Sequence, residues 1–370
     1  MQSRLDRYER FIEKEYLPGL LKPDEYSMAG LTEGLRERLA ANRFKRIAFT
    51  GMGCSAIVSD IVRGYFTELR LPVEVHVLND YDFRFLAPAS ALDDETLYVV
   101  SSYSGHSTEP IIAFEALRGR PDQIMLLTSG GKLAELGAAA GVSTLYWRLS
   151  EPDREYPLFH VSQYFAILMD VFYRLGVLDS DHRDELARLA GILGDDLEAG
   201  GHELVESIAA AATDANIIMI SSPKWHESLL KLCKMHLNEM AMVPATRNFF
   251  HEFCHSEVAT LSDPDRRHCV IWLSDEDDDE YTIRKGENLR QLLSADVPQN
   301  RNVSMVRIHL GQEGFLHKYF AALNIVQRVA LSLGRHHLTK SRDLISESAG
   351  NAWYHSTTIA AEGRHANSAR

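Results

Sequence analysis

The stretch TLYVVSSYSGHSTE, Thr96–Glu109, opens as an apolar, β-rich run and breaks into Ser101, Ser102, Ser104, Ser107 and Thr108 around Gly105. It closes on an acid where a helix would begin. A strand that empties into such a turn is one half of a βα unit. The same rhythm extends outward on both sides. Upstream, RIAFTG (Arg46–Gly51) reads as a strand, Ser55–Thr67 as a helix and VEVHV (Val73–Val77) as a second strand. Downstream come a helix over Glu109–Leu117, a strand QIMLLTS (Gln123–Ser129), a helix over Lys132–Ala140 and a strand STLYWRL (Ser143–Leu149). Strands separated by helices need crossover connections, which make a parallel sheet with helices on both faces. A helical stretch runs from about His160 to Ala212, and then the alternation returns. NIIMISS (Asn216–Ser222), HCVIWLS (His268–Ser274) and VSMVRIHL (Val303–Leu310) read as strands, with helices over Lys224–Met240 and Phe315–Leu333. The expected fold class is α/β, with two doubly wound domains, each a parallel sheet flanked by helices. The expected organisation is an N-terminal helical segment 1–30, a first domain 31–175, a helical connection 176–212, a second domain 213–350 and a tail 351–370.

A chain of 370 residues suits two domains of ordinary size, and 45% hydrophobic with 25% charged residues is a soluble globular profile. No window carries the ~20 apolar residues of a membrane helix, and MQSRLDRYERFIEKEYLPGL does not read as a signal peptide. A net charge of −13 argues against nucleic-acid or anionic-membrane partners. It leaves room for a small anion held by a local nest of backbone N–H groups. Cys54, Cys233, Cys254 and Cys269 are scattered without a CxxC pair, which predicts neither disulfides nor zinc and points to a cytoplasmic setting.

In an open parallel sheet, ligands gather beyond the C-terminal strand ends. Two turns there are rich in Gly and Ser. In Gly51-Met52-Gly53-Cys54-Ser55, the glycines permit positive φ and close backbone approach, and Ser55 opens a helix. In Ser101–Glu109 a cluster of hydroxyls offers neutral donors to a phosphate already favoured by a helix N-terminus. Each turn alone also reads as an ordinary βα loop with a Ser N-cap. Neither matches a P-loop, and Ala56 breaks the GxGxxG fingerprint.

Together, GMGCSAIVSD, SYSGHSTEP and TSGGKLAELG resemble the sugar isomerase (SIS) domain superfamily, and within it the bifunctional phosphoglucose/phosphomannose isomerase family. LNEMAMVPA (Leu237–Ala245) and CHSEV (Cys254–Val258) are similar to that family's NENAKxPA and HNEIVG segments. The resemblance implies two SIS-type domains and an aldose–ketose isomerase acting on hexose 6-phosphates through a cis-enediol. Gly53, Ser55, Ser102, Ser104 and Ser107 would form the phosphate cradle. Glu239 would shuttle the proton between C1 and C2, and His255 would open the sugar ring. No metal or organic cofactor is implied. The family completes its site across a homodimer, so His255 would serve the neighbouring subunit.

The chain departs from the family at two cations. Leu158 stands where the family carries an arginine, with Arg154 nearby, and Ser346 falls at a family lysine, with Lys340 upstream. These departures keep two alternatives open: a non-catalytic sugar-phosphate-binding protein, and a different sugar-phosphate isomerase or deaminase on the same scaffold. His251, Glu252, His255 and Glu257 lack the HExxH spacing of a zinc helix. The acidic run Asp275–Glu280 reads as a solvated loop and helix start, His336-His337 as a surface loop pair, and Trp225 and Trp272 as core or interface residues.

Overall fold

Tyr26–Ser27 (β1), Arg46–Thr50 (β2), Glu74–Leu78 (β3), Thr96–Ser101 (β4), Ile124–Thr128 (β5) and Ser143–Trp147 (β6) form one sheet, in the order β1-β6-β5-β4-β2-β3. This comes from a computed structural model that describes residues 2–12, 26–80, 83, 92–148 and 158–337. Among the described strands, β2 to β6 pair in parallel and the two-residue β1 runs antiparallel to β6, forming the edge of the sheet. The central strands β4 and β5 are buried along their whole length, as their unbroken apolar runs require, whereas the edge strand β3 alternates in exposure. Asn216–Ser221 (β7), Ala245–Phe249 (β8), His268–Asp275 (β9) and Val303–Leu310 (β10) form a second, all-parallel sheet in the order β10-β9-β7-β8. β8 has no strand signal of its own in the sequence. It is a short, partly exposed edge whose register is taken from β7.

The helices are Gln2–Arg10 (α1), Glu33–Ala40 (α2), Cys54–Glu68 (α3), Thr108–Leu117 (α4), Gly131–Ala140 (α5), Val161–Arg174 (α6), Arg183–Asp196 (α7) and His202–Ala212 (α8). Pro223–Trp225, His226–Leu230, Lys231–Met235 and His236–Met240 follow without a break as one helix, α9, π-helical over its second and fourth pieces. Phe250–His255 (α10), Glu280–Ser294 (α11) and Phe315–His336 (α12) complete the set. Among the described residues no helix is long and apolar enough to cross a membrane.

One continuous apolar core lies between the two sheets and takes in α3, α6, α9 and α12. A smaller cluster under α4 and α5 covers the outer face of the first sheet, and another around Phe250, Phe253 and Trp272 covers that of the second. The halves therefore share their main core, and α3 is the element that joins them. Gly64 makes the join close: a Cβ there would sit 2.5 Å from the Phe315 ring of α12. The neighbouring Tyr65 and Trp225 both stack on Phe315.

Candidate functional site

The chain leaves β2 towards β3 on one side, and β4 leads to β5 and β6 on the other. The strand order thus reverses between β2 and β4, and a crevice opens outside their C-terminal ends. The two serine-rich turns follow these two strands. A cleft of about 410 Å³ lies there, and Ser55, Ser102, Ser104 and Ser107 all line it, with Cys54, Asp80 and Glu109. Gly53 is the N-cap of α3, with φ 57°, and carries no side chain to occupy the first-turn N–H groups. Ser107 is the N-cap of α4, yet its hydroxyl makes no capping hydrogen bond. The plain N-cap reading of these residues therefore does not describe them: both helix starts present free N–H groups, and hydroxyls besides.

The third motif, TSGG, acts as a buttress. Ser129 N–H and Oγ both donate to the Tyr103 carbonyl at 2.8 Å, and Leu133 N–H donates to the Gly105 carbonyl at 2.9 Å. Gly105 adopts φ 66°, and a Cβ on it would lie 2.0 Å from the Gly130 carbonyl oxygen. The loop after β5 thus sets the shape of the loop after β4 without lining the cleft.

Glu239, from the second half, does not line the cleft but acts on its wall residue Cys54. Lys224 near the start of α9 pairs with Glu68 at the end of α3, 3.9 Å away. Cys54, at the start of α3, is acted on by Lys231 and Glu239, further along α9. The two helices therefore run antiparallel, and the positive N-terminal end of α3 meets the negative C-terminal end of α9. Glu239 sits in the second π-helical turn, a local widening common at functional sites. Glu239 is exposed, yet desolvation by the groups around it raises its carboxyl above the ordinary range against the pull of Lys234. Burial pushes the Cys54 thiol up to about 12, with Glu239 adding and Lys231 subtracting, a direction that disfavours the thiolate. Met242 turns the chain away with φ 54°, while Val243 N–H bonds back to the Leu237 carbonyl at 3.2 Å.

His255 stands apart. It ends α10, whose Phe250 and Phe253 anchor in the outer cluster of the second sheet, and its side chain is exposed. It does not line the cleft of its own chain. Neighbouring His251 bonds Thr282 at 3.1 Å and stacks on Tyr281. Among the described residues, the one trio of metal-ligating types with ligand atoms within 4.8 Å of one another is Asp214, His336 and His337, not the histidines around His255. Leu158 is buried. Arg154, Lys340 and Ser346 lie outside the described residues.

The second sheet has its own order reversal, between β7 and β9. There the acidic run departs from its reading as a solvated loop. Asp275 is buried and accepts from Lys318 Nζ at 2.5 Å and from Trp225 Nε1 at 2.8 Å, while Lys318 also bonds Asp277. Burial works to raise the Asp275 carboxyl, but Lys318, the Asp277 N–H, Trp225 and Lys224 together hold it below the usual range. Asp279 caps α11 through the N–H groups of Tyr281 and Thr282. The chain's own carboxylates fill this position, whereas the matching position of the first sheet stands open.

Sequence reading missed two charged neighbours of the cleft. Asp80 follows β3 by two residues, and its signal was that placement just past a parallel strand. Lys231 precedes Glu239 by eight residues on α9, where helical spacing alone sets both towards α3.

Residues 202–337 match the model of the bacterial phospho-glucose isomerase C-terminal SIS domain. The chain is 26% identical over 230 residues to the bifunctional phosphoglucose/phosphomannose isomerase of Caldicellulosiruptor bescii, covering 60% of this chain and 65% of that protein. It is 26% identical over 252 residues to the protein of that name from Thermoplasma acidophilum, covering 68% and 73%. The first alignment thus spans just under two thirds of the relative's length. The crystal structure of tagatose-6-phosphate ketose/aldose isomerase from Escherichia coli superposes with a TM-score of 0.59 at 17% identity, covering 89% of this chain and 92% of that one, which shows a shared fold. Residues 202–337 thus match an SIS domain of the bacterial phospho-glucose isomerase kind, and the chain is similar over about two thirds of its length to bifunctional phosphoglucose/phosphomannose isomerases.

Proposed function

We propose that this protein interconverts aldose and ketose 6-phosphates of hexoses through a cis-enediol. The observation that carries the reading is the junction of α3 and α9. It sets two uncapped helix starts with four serine hydroxyls at one end of a cleft and a desolvated carboxylate near the same end. In this reading the phosphate rests on the N–H groups of α3 and α4 and on Ser55, Ser102, Ser104 and Ser107, with Gly53 allowing close approach. The sugar then extends towards Glu239. Glu239 takes the C2 proton of the open-chain aldose and returns it to C1, and a carboxyl held above its usual range is the better base for that step. Ring opening falls to the partner subunit's His255, because the residue is exposed and outside the cleft of its own chain. The working unit is accordingly a cytoplasmic homodimer, each chain pairing a phosphate-binding domain, 31–175, with a second domain, 213–350.

The experiment is the conversion of fructose 6-phosphate to glucose and mannose 6-phosphates by purified protein. Glu239→Gln should lower turnover by about 10²–10⁴ while leaving ligand affinity within a few-fold. One observation favours a second reading: no Lys or Arg lines the described cleft to stabilise an enediolate. Thermal stabilisation by hexose phosphates with no turnover in wild type would make the protein a sugar-phosphate binder instead.

A further inference from the structure

A phosphate cradle does not explain Asp80, a carboxylate in the wall of the cleft. β2 and β3 pair with Thr50 opposite Leu78, which brings Asp80, two residues on, to the wall of the cleft beside the first serine turn. Its side chain is 0% exposed, and among the described residues neither carboxylate oxygen has a hydrogen-bond partner. The Thr50 hydroxyl lies near enough to favour the charged form without reaching hydrogen-bond geometry, and is itself unpartnered. Glu109, from the first turn of α4, lines the same cleft and adds a second negative charge. β4 and its loop contribute hydroxyls, the start of α3 contributes N–H groups, and no described lysine or arginine lines the cleft. A buried, unpaired carboxylate is costly in its charged form, and a phosphate dianion arriving in the same cleft would make it more so.

We propose that Asp80, in the wall of the cleft, becomes protonated when the cleft holds a phosphate ester, so that binding takes up a proton from solvent. The proposal rests on the cleft being the phosphate site. The proton balance is simple: water or buffer gives up one H⁺, the Asp80 carboxylate gains it, and no covalent bond of the ligand changes. Burial, reinforced by Glu109 and opposed by Thr50, already pushes the free carboxyl up to about 6. Asp80 is therefore a positioning residue that tells a phosphate ester from a neutral sugar through its own protonation.

The test is calorimetric titration of the full chain with glucose 6-phosphate at pH 7.5, in buffers of differing ionisation enthalpy. At that pH the ligand's own second ionisation, near 6, is complete. Wild type should take up more than about half a proton per ligand bound, and its affinity should fall roughly tenfold per unit between pH 6.5 and 8. Asp80→Asn keeps a donor without the charge; it should take up none and bind with little pH dependence. Tight binding by wild type without proton uptake, or unchanged uptake in Asp80→Asn, overturns the role of Asp80 and leaves the cleft intact. Absence of glucose 6-phosphate binding by wild type from pH 6 to 8, or affinity unaffected by Ser102→Ala, overturns the phosphate reading and this proposal with it.

Discussion

Asp80 shows how a single residue can trade stability for a site. Its carboxyl titrates higher in the folded chain than in the unfolded one, where the ordinary value is near 4. Between about pH 4 and 6 the folded state therefore binds more protons than the unfolded state. Stability falls as pH rises through that window, and the loss is complete above it. For a side chain closed to solvent the loss amounts to roughly 2–3 kcal/mol. Asp80→Asn should thus raise Tm by a few degrees at pH 7.5, with the gain shrinking towards pH 4.5, as differential scanning calorimetry would record. An unchanged Tm at pH 7.5 would mean that Asp80 is neutral or well paired there. The sequence showed this residue only as an acid after a strand, because its isolation depends on Thr50 and Glu109, which are brought to it by sheet order. The motif around Glu239 is local, but its electrostatic coupling to Cys54 is not, since the two come together by the packing of α3 on α9. The acidic run misled for the same reason. The partner of Asp275 is Lys318, 43 positions away, and no local pattern announces a buried ion pair at that distance.

At the level of elements, the alternation of strands and helices was readable because buried parallel strands are continuous apolar runs, and all three SIS-like turns sit where strands end. What escaped was β8, too short and too exposed to show a period, and the π-helical turns of α9, which side-chain spacing does not encode. The loop after β4 is held against the loop after β5 by backbone bonds together with the Ser129 and Thr128 hydroxyls on the Tyr103 carbonyl, and Gly105 is the position that permits the close approach. An alanine there would take up a left-handed φ, costing about 1 kcal/mol, and would press its Cβ against the Gly130 carbonyl. Gly105→Ala should lose at least about 2 kcal/mol in urea unfolding and weaken glucose 6-phosphate binding, because the loop must shift. Equal stability to wild type would show that the interlock of the two loops is loose.

For the molecule as a whole, the two sheets repeat one plan with opposite outcomes. At each order reversal a strand end and a helix start meet. In the first sheet the helix starts are uncapped and a cleft remains. In the second, Asp279 caps α11, and Lys318 with Asp275 and Asp277 fills the space with an internal ion cluster. One chain should accordingly hold one phosphate ester. The shared core around α3 gives the second half a part in the proposed site: it places Glu239 close enough to act on Cys54, which lines the cleft. A crystal structure of the protein with bound fructose 6-phosphate tests this most directly. The account predicts phosphorus between Ser55, Ser102, Ser104 and Ser107 at the start of α3, with the Glu239 carboxylate facing C1 and C2 of the sugar. Phosphorus at the Lys318–Asp275 position, or a sugar whose C1 and C2 point away from α9, would contradict it.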